Sequence, residues 1–506
     1  MVKSKNRSNI TYNKAILKII AVLIILSSTF PFSNDTVIAK NKNVDKDLWE
    51  FPGSLYATIE QNKLTLADAI KMSLINNPQV VIEKASIEEK EWSIKEQKSY
   101  LYPHLYVNQS FMASNNPVNA FMTKLSQRDF NLSTSNLNYP GTKSNFSTRI
   151  GADFILFDRS LYKQVSISKL EMEIQKQLGK KSINELIQAV RKAYLDVQLA
   201  QQKINNDQTT LELANSYFKA VSNKKEAGSA SKSEFLSAKA KVAEAEENLL
   251  KSKNDLNLSW IILSDIVGDE TIVGLDLVDN LKEDFSIGEI DKLVKYAYSE
   301  RPDIQAAEKN NKKAFLEIKL AKATSSMNIK AQGEWGVDTI LDRDNIAKSY
   351  TTFVSLNKPI FDGGLRKAKI NKALANSDKR RAEVTQTYNK VKIEVIQNYL
   401  SFKNAQERLN VTKHILDDAH ESLRTYHERY LVGLSTNVEM ENAQSKLANA
   451  KYLRTYALYD LNLSFINLQK AIGISLNDIL EGTNTLCSDK PDKKTGQDQN
   501  PDKTSP

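Results

Sequence analysis

The spacing of apolar residues along the chain is helical over long stretches. Between residues 186 and 221, apolar or small residues recur at alternating intervals of four and three, with Asp207 as the charged exception. The register returns between residues 391 and 426, where Thr412 takes the same polar slot. A sustained period of 3.5 residues is typical of helices that pack along a coiled-coil seam. The pattern predicts two outgoing helices, the first over residues 159–225 and on the order of 100 Å long.

Two further stripes predict helices that return alongside the outgoing ones. A lone glycine precedes each stripe, Gly228 in the first half and Gly433 in the second, and can supply the left-handed residue that ends a helix. Each outgoing helix and its returning helix should therefore form a hairpin. The stripes run through Phe235, Ala238, Val242, Ala245, Leu249, Ser252 and Leu256, and through Met440, Ala443, Leu447, Ala450, Arg454, Ala457 and Leu461.

The two hairpins belong to an internal repeat. Residues 186–268 align with residues 391–473 at a constant shift of 205 and without a gap. Within that alignment Asp255–Ser259 is identical to Asp460–Ser464. A repeat at this distance indicates one structural unit that has been copied. Each half is predicted to contain a short helix, a helix that starts at proline, a strand, a loop, a strand and a helical hairpin.

Four short segments interrupt the helical pattern and alternate with the period of a strand. Segments of about ten residues with one apolar and one polar face suit strands between lipid and water. Four strands cannot close a barrel and open edges are not tolerated in lipid, so several copies must share one barrel; a soluble half-buried sheet is the alternative. The segments are residues 104–112, 146–157, 328–337 and 350–356, and the side chains predicted to face the lumen are Lys330, Gln332, Glu334, Arg149 and Asp153.

The N-terminus has the layout of a secretory signal peptide. Basic residues precede the apolar run 19–26, and Val37-Ile38-Ala39 offers a small-residue cleavage site. The run is short for a bilayer-spanning helix, although an uncleaved anchor is the alternative. At the other end, residues 482–506 are polar without apolar periodicity and are predicted to be disordered.

Composition and charge exclude several functions. Gly (16) and Pro (11) are scarce among 506 residues, which favours long uninterrupted elements. The net charge of +9 is mild and its basic residues are interleaved with acidic ones, so we expect no nucleic-acid partner. The single cysteine, Cys487, cannot form an intrachain disulfide. The sequence contains no phosphate-binding loop, nucleophile elbow or zinc-binding histidine pair, so we expect no enzyme activity, metal or cofactor.

Short motifs stand at the junctions between the predicted elements. They are Leu64–Ile70, Asn76-Asn77-Pro78, Tyr102-Pro103-His104-Leu105, Arg301-Pro302-Asp303-Ile304, Pro359–Gly364 and Tyr430–Leu434. These motifs resemble those of the TolC-like outer-membrane efflux proteins, and Pro359–Gly364 is the most specific of them. The resemblance covers about residues 60–480. The first half departs from the pattern, because Arg159-Ser160 stands where the second half has Gly363-Gly364.

The resemblance implies a mainly α fold with a small β part. Duplicated coiled-coil hairpins and four strands per chain would trimerise into a 12-stranded β-barrel on a 12-helix α-barrel. Such a homotrimer would be the exit channel of an efflux or type I secretion system, in outer-membrane lipid with its helices in the periplasm. Its implied partners are a periplasmic adaptor (membrane fusion) protein and an inner-membrane RND or ABC transporter.

The motifs and the duplication also divide the chain into segments. These are a signal peptide (1–39), an N-terminal linker (40–63), a first repeat (64–268), a linker or equatorial segment (269–286), a second repeat (287–473), and an equatorial end with a polar tail (474–506). The loop over residues 113–145 either restricts the outer mouth of the channel or is a plain surface loop. The alternative function is a non-channel coiled-coil envelope protein, structural or adhesive.

The resemblance places a periplasmic gate at the hairpin tips. The position that matches the acidic constriction of similar proteins is Glu439, followed one turn on by Asn442, with Glu234 as the first-half equivalent. Three Glu439 carboxylates around one axis would attract cations; alternatively, Glu439 only stabilises a helix N-terminus electrostatically. By position alone, the residues expected to contact the adaptor are Gly228, Ser229, Gly433 and Leu434.

Overall fold

The computed structural model describes residues 62–132, 136–340, 346–432, 434–474, 479 and 485–486. The predicted signal peptide, Gly433, Cys487 and most of the polar C-terminal tail lie outside these residues. The prediction of disorder is wrong for Thr485 and Leu486 of that tail, which form a short strand paired in parallel with Ser286 and Ile287. The described part of the chain is mainly α-helical with short strands, as the sequence predicts. In chain order its elements are β1 (Lys63–Leu64), α1 (Leu66–Asn76), α2 (Pro78–Ser99), β2 (His104–Ser114), α3 (Pro117–Ser126), β3 (Lys143–Asp158), α4 (Arg159–Glu226), α5 (Lys232–Val267), a 3₁₀ turn (Glu270–Ile272), β4 (Asp276–Leu277), β5 (Ser286–Ile287), α6 (Ile290–Glu300), α7 (Pro302–Ala323), β6 (Asn328–Thr339), β7 (Ile346–Asn357), α8 (Leu365–Leu431), α9 (Asn437–Ile472) and β8 (Thr485–Leu486).

The chain divides into two compact units, and each takes material from both sequence repeats. The first unit, which we call the sheet unit, contains Ser93–Ser166 and Lys319–Ile370. The second, the helical unit, contains the described parts of Phe51–Trp92, Ile167–Ile318 and Asn371–Pro506. The duplication in the sequence is therefore not a division into two separate domains in space.

The sheet unit is built on one antiparallel sheet with the strand order β2-β3-β6-β7. Each repeat contributes one pair of strands, and the β3–β6 pairing joins the two repeats. All four predicted strands are confirmed, and each of them is longer than its predicted segment. The loop predicted over residues 113–145 is accordingly too long, since β2 continues to Ser114 and β3 begins at Lys143.

The helical unit contains the two predicted hairpins, α4–α5 and α8–α9. Helix α4 has 68 residues, which confirms the predicted span of about 159–225, and α8 has 67. The seam residues Val190, Val395 and Phe402 are fully buried, as the 3.5-residue period requires. Phe402 packs against Phe465 and Phe285, with ring centroids 5.9 and 6.2 Å apart. The seams are thus the core of the hairpins.

The repeated polar slot in the seam is satisfied differently in the two halves. Asp207 is 3% exposed and accepts hydrogen bonds from the hydroxyls of Ser252 and Tyr452. Tyr452 lies on α9, so this carboxylate links the first hairpin to the second. Thr412, its counterpart, donates to the carbonyl of Leu409 one turn back on its own helix, at 2.9 Å. Only the first-half residue therefore connects two hairpins.

Both halves use the same long-range contact to hold the end of the returning helix. The Nδ2 atom of Asn77 donates to the carbonyl of Ile266 at 2.7 Å, two residues before the left-handed cap Gly268. Arg301 occupies the equivalent position and donates from Nη1 to the carbonyl of Ala471 at 2.7 Å, two residues before Gly473. The residue before each helix-initiating proline thus binds a carbonyl at the end of the returning helix.

Arg301 makes further contacts for which Asn77 has no counterpart. Its Nε and Nη2 atoms donate to both oxygens of Asp303 at 3.0 and 2.7 Å, and Nη1 also reaches Glu394 at 2.9 Å. Burial disfavours the carboxylate of Asp303, but the hydrogen bonds from Arg301 outweigh that effect and hold the Asp303 pKa below its ordinary value. The second half therefore has a buried charge cluster where the first half has one amide.

Arg454 interrupts the apolar stripe of α9, and the structure explains why. Its Nη2 atom pairs with Glu283 at 2.6 Å, in the segment that connects β4 to β5. Two more side chains bind the same segment: Asn462 exchanges hydrogen bonds with the backbone of Lys282, and Gln198 donates to the carbonyl of Asp279. This seam position therefore fastens a connecting segment to the hairpins.

Candidate functional site: the amphipathic sheet and the hairpin tips

One face of the sheet carries a connected polar network. Arg149 on β3 pairs through Nε with Glu334 at 3.1 Å and through Nη2 with Asp338 at 2.7 Å. Tyr106 on β2 donates to Glu334 at 3.4 Å and accepts from Gln332 at 3.2 Å. This network spans three strands, so it ties together β2, β3 and β6 on the same face.

The register places all five predicted lumen residues on that polar face. Asp153 lies directly opposite Gln332, and Gly151 directly opposite Glu334. Lys330 follows two residues before Gln332, and the side chains of both Lys330 and Asp153 are exposed. The structure joins Arg149 to Glu334 as an ion pair. Tyr106 and Asp338 were not predicted, because only the pairing register shows that they adjoin these residues.

Two glycines make room for this network. The side chain of Tyr106 lies across Gly151 and that of Arg149 lies across Gly336, so that a Cβ atom on either glycine would collide with it. The long side chains therefore lie along the sheet surface. This arrangement gives the two glycines a packing function within the strands.

The opposite face of the sheet is apolar and exposed in the single chain. Leu105 and Val107 on β2 are 79% and 69% exposed, and Tyr350 on β7 is 81% exposed. A contiguous apolar surface on this scale marks an interaction site with a membrane or another protein. The other large exposed members include Phe111, Ile150, Trp335, Ile346, Val354 and Leu356.

The two outer strands of the sheet, β2 and β7, each pair with one neighbour in the described part of the chain. Each has a free edge of backbone N–H and C=O groups. Such edges pair with another strand or must be protected from aggregation. The four-stranded sheet is therefore incomplete in one chain at both sides.

The connection between β2 and β3 contains a helix, α3, that the sequence analysis missed. Asn116 caps it by accepting from the backbone of Val118 and Asn119, and Pro117 stands at its first position. Beyond the helix, Gln127 donates to the carbonyl of Ser144 at 2.6 Å and to Asn145. Asn145 in turn donates to Asp338 at 2.7 Å, so the connection is anchored to the polar network of the sheet. An asparagine followed by proline was a readable helix-start signal.

The tips of the two hairpins contain matching capping boxes. Ser231 and Glu234 exchange hydrogen bonds at the start of α5, and Thr436 and Glu439 do the same at the start of α9. Glu439 also accepts from the hydroxyl of Ser435 at 3.0 Å. The backbone N–H of Thr436 is the main cause that lowers the pKa of Glu439, followed by the two hydroxyls. Both glutamates predicted for the gate thus stabilise helix N-termini in this chain.

The remaining predicted tip residues are solvent-exposed. Gly228 has a φ of 72° and ends α4, while Ser229 donates its N–H to the carbonyl of Lys224 at 2.7 Å. Asn442 is exposed on α9, and Leu434 is 79% exposed. Gly433 lies outside the described residues. The structure does not join Asn442 or Leu434 to either glutamate.

The two tips pack on each other through residues that the sequence analysis did not propose for the gate or for the adaptor contact. Ser237 on α5 donates to Glu441 on α9 at 3.0 Å. Tyr217, Val221, Ala238 and Met440 form a buried cluster between the hairpins. The resulting contact fixes the tips of one chain relative to each other.

In the described part of the chain, no helix is both long and apolar enough to cross a bilayer. Nor does that part bring together three or more His, Cys, Asp or Glu side chains in positions to hold a metal ion.

A duplicated chain that combines long coiled-coil hairpins with an open, amphipathic four-stranded sheet has the fold of outer-membrane channel subunits. The chain belongs to the outer membrane efflux protein family, whose sequence profile matches residues 69–269 and 293–474.

Individual relatives agree with this assignment. Outer membrane protein OprJ of Pseudomonas aeruginosa is 23% identical over 300 residues, which are 57% of this chain and 61% of OprJ. The toluene efflux pump outer membrane protein TtgC of Pseudomonas putida is 22% identical over 421 residues, 81% of this chain and 82% of TtgC. The Campylobacter jejuni CmeC outer membrane channel has the same fold, with a TM-score of 0.70 at 16% identity over 81% of this chain and 85% of CmeC.

Proposed function

We propose that the chain is the outer-membrane exit channel of an efflux or type I secretion system, with helices that extend into the periplasm. The observation that carries this proposal is the sheet of β2, β3, β6 and β7, which is apolar on one face, polar on the other and unpaired at both edges. Strands of this kind separate lipid from water only in a closed barrel. The names of three similar proteins support the same location: OprJ is an outer membrane protein, TtgC is the outer membrane protein of a toluene efflux pump, and CmeC is an outer membrane channel.

The proposed assembly is a homotrimer in which β2 of one copy pairs with β7 of the next. A head-to-tail contact of this kind repeats around a ring and leaves no edge when the ring closes. Three copies give twelve strands, and the network around Arg149 and Glu334 then faces the lumen together with Lys330, Gln332 and Asp153. In this proposal the hairpin tips meet a periplasmic adaptor protein, and an inner-membrane RND or ABC transporter supplies the substrate.

Cross-linking tests the proposed ring. Gln109 on β2 and Thr352 on β7 lie on the apolar face near the two edges, and Cys487 is replaced by serine so that the added thiols are alone. With both cysteines, a short bifunctional thiol reagent should produce a ladder that ends at three chains. Either cysteine alone should give no ladder, because β2 never meets β2. A ladder that stops at two chains, or one that continues past three, contradicts the trimer.

For the gate, we propose that three Glu439 carboxylates surround the periplasmic end of the passage. Glu439→Gln should lower the preference for cations by about fivefold, because a unit charge near 4 Å in water contributes ~1 kcal/mol. Glutamine also completes a capping box, so the start of α9 should remain intact. The measurement is the reversal potential of the reconstituted protein across a salt gradient.

Two variants make the gate experiment specific. Asp417→Asn removes one negative charge from an exposed position of α8 and should leave the reversal potential unchanged. Asn442→Asp adds a carboxylate one turn beyond Glu439 and should increase the preference for cations. A reversal potential that Glu439→Gln does not move would leave Glu439 with its capping role only.

A further inference from the structure

The charge distribution along the sheet is strongly one-sided. The antiparallel order places the start of β2, the end of β3, the start of β6 and the end of β7 on the same border of the sheet. This edge is formed by the ends of the four strands and is distinct from the two unpaired edges along β2 and β7. The chain segments at this edge, residues 93–103, 158–166, 319–327 and 358–370, contain ten basic and three acidic residues, a difference of seven. The connections at the opposite edge, residues 115–142 and 340–345, contain three of each. The basic residues are Lys95, Lys98, Arg159, Lys163, Lys319, Lys322, Lys358, Arg366, Lys367 and Lys369, which we call the basic edge.

Two of the three acidic residues at this edge accept hydrogen bonds from backbone N–H groups. Asp158 accepts from the N–H of Ser160 at 2.8 Å, and Asp362 accepts from the N–H groups of Gly364 and Arg366 at 3.1 and 2.8 Å. They cap the starts of α4 and α8. Their carboxylates therefore also stabilise the helix starts, and the basic residues of the four segments outnumber the acidic ones by seven.

The basic edge also adjoins the apolar face. Leu105 and Leu356, at strand ends of that face, are 79% and 63% exposed, and Phe361 just beyond β7 is 89% exposed. Lys358 follows two residues after Leu356. Tyr102 and Tyr162 are exposed at the same edge. Tyrosine is enriched at membrane–water interfaces, where its ring lies at the level of the lipid head groups.

We propose that the basic edge binds the head groups of anionic phospholipids in the leaflet nearest the helices. This inference rests on the proposed membrane location of the sheet. Lysine and arginine side chains at the border of an apolar surface extend their charged ends to the phosphate layer. Their attraction to an anionic leaflet adds with each charge and falls with salt. The apolar face and the basic edge together would bind an anionic lipid surface. The acyl chains of the lipids would contact the apolar face, and their phosphates would contact the basic edge.

The test uses the full chain in nanodiscs of phosphatidylcholine, alone or mixed with phosphatidylglycerol. The readout is the phosphatidylglycerol retained per protein after extraction into neutral detergent, at low and high salt. One variant combines Lys358→Gln, Arg366→Gln, Lys367→Gln and Lys369→Gln at the basic edge. Its control combines Lys390→Gln, Lys392→Gln, Lys403→Gln and Lys413→Gln, which removes the same charge from exposed positions of α8 in the helical unit.

Wild type and control should retain phosphatidylglycerol in preference to phosphatidylcholine, and high salt should abolish the preference. The basic-edge variant should retain on the order of tenfold less. Retention that is unchanged in this variant, or reduced equally in both variants, overturns the proposal. So does a basic-edge variant that keeps its lipid but has a changed reversal potential, since these side chains would then face the passage.

Measurements on the same samples distinguish a failure of the proposed lipid site from a failure of the proposed channel. A basic-edge variant that forms trimers and conducts ions, but has lost its phosphatidylglycerol, supports the lipid site. A wild-type protein that is a monomer without detergent refutes the channel itself, and that result is read from the light-scattering mass before any lipid is measured.

Discussion

Replacing Arg301 with alanine is expected to lower the free energy of unfolding by about 3–5 kcal/mol. Arg301 is 9% exposed and holds Asp303, Glu394 and the carbonyl of Ala471 within 3.0 Å. Without the guanidinium, the carboxylates of Asp303 and Glu394, which are 23% and 30% exposed, and a helix-end carbonyl lose their donor in a place that water reaches only in part. An unpaired buried charge costs far more than the pair itself contributes, and this asymmetry makes the effect large.

Arg408→Ala is the matched control for this experiment. Arg408 pairs with Asp460 at 3.0 Å, a distance similar to those around Arg301, but its side chain is 54% exposed. Solvent screening limits an exposed pair to about 1 kcal/mol or less. The two variants are compared by chemical denaturation of the protein in the same detergent. If both variants lose the same free energy of unfolding, the charge cluster at Arg301 contributes no more to stability than an exposed ion pair does.

Asn77→Ala extends the comparison to the first repeat. Asn77 makes the corresponding bond to the carbonyl of Ile266, but with a neutral amide and no carboxylate partners. Its loss should cost about 1–3 kcal/mol, the penalty for an unsatisfied buried polar group, which is less than the loss at Arg301. Asn77 Oδ1 also accepts from the N–H of Gln79 at 2.8 Å, so equal effects at the two sites would mean that the backbone bonds of Asn77 stabilise the first half as much as the charge cluster stabilises the second.

Val107→Arg should prevent assembly of the channel in the membrane. Val107 is 69% exposed on the apolar face of β2, and arginine on the lipid face of a barrel costs from about 1 kcal/mol near the head groups to about 2–4 kcal/mol at the bilayer midplane. Each of the three chains in the proposed trimer carries the substitution, so the free-energy cost of placing arginine in lipid applies three times. The expected result is a large loss of detergent-stable trimer from the membrane fraction, measured by gel migration and light scattering.

Ser110→Arg provides the control on the same strand. Ser110 lies opposite Ser147 on the polar face, where an added charge faces water in the proposed lumen. This variant should assemble normally. If Ser110→Arg blocks assembly as strongly as Val107→Arg, or if neither blocks it, then the apolar face does not contact lipid and the coiled-coil envelope alternative gains support.

The elements that the sequence predicted well are those in which local periodicity and tertiary packing agree. The seam residues Val395 and Phe402 recur with the coiled-coil period, and they are buried because that period is the geometry of the seam. The alternation around Lys330 and Glu334 likewise matched a strand with two different faces. The predicted ends of the strands were less accurate, because the alternation of apolar and polar residues stops where a strand enters a turn.

The hairpin tips show a pattern that permits two roles. Thr436 followed three residues later by Glu439 is the spacing of a capping box, and the structure contains that box. The sequence offered both a gate and a helix-terminus role for Glu439, and the second is present within a single chain. Whether three such residues also meet around an axis depends on the assembly, which the proposed reversal-potential experiment addresses.

The duplication, the helical hairpins and the four amphipathic strands could all be predicted from the amino-acid sequence, because hydrophobic spacing is a local property of the chain. Which distant groups meet depends on the tertiary fold. The bond between Arg149 and Asp338 depends on the register of β3 against β6, and the pairing of Arg454 with Glu283 depends on where a connecting segment crosses α9. The basic edge is of the same kind: its ten residues lie in four separate segments, and only the antiparallel order of the sheet brings those segments to one side.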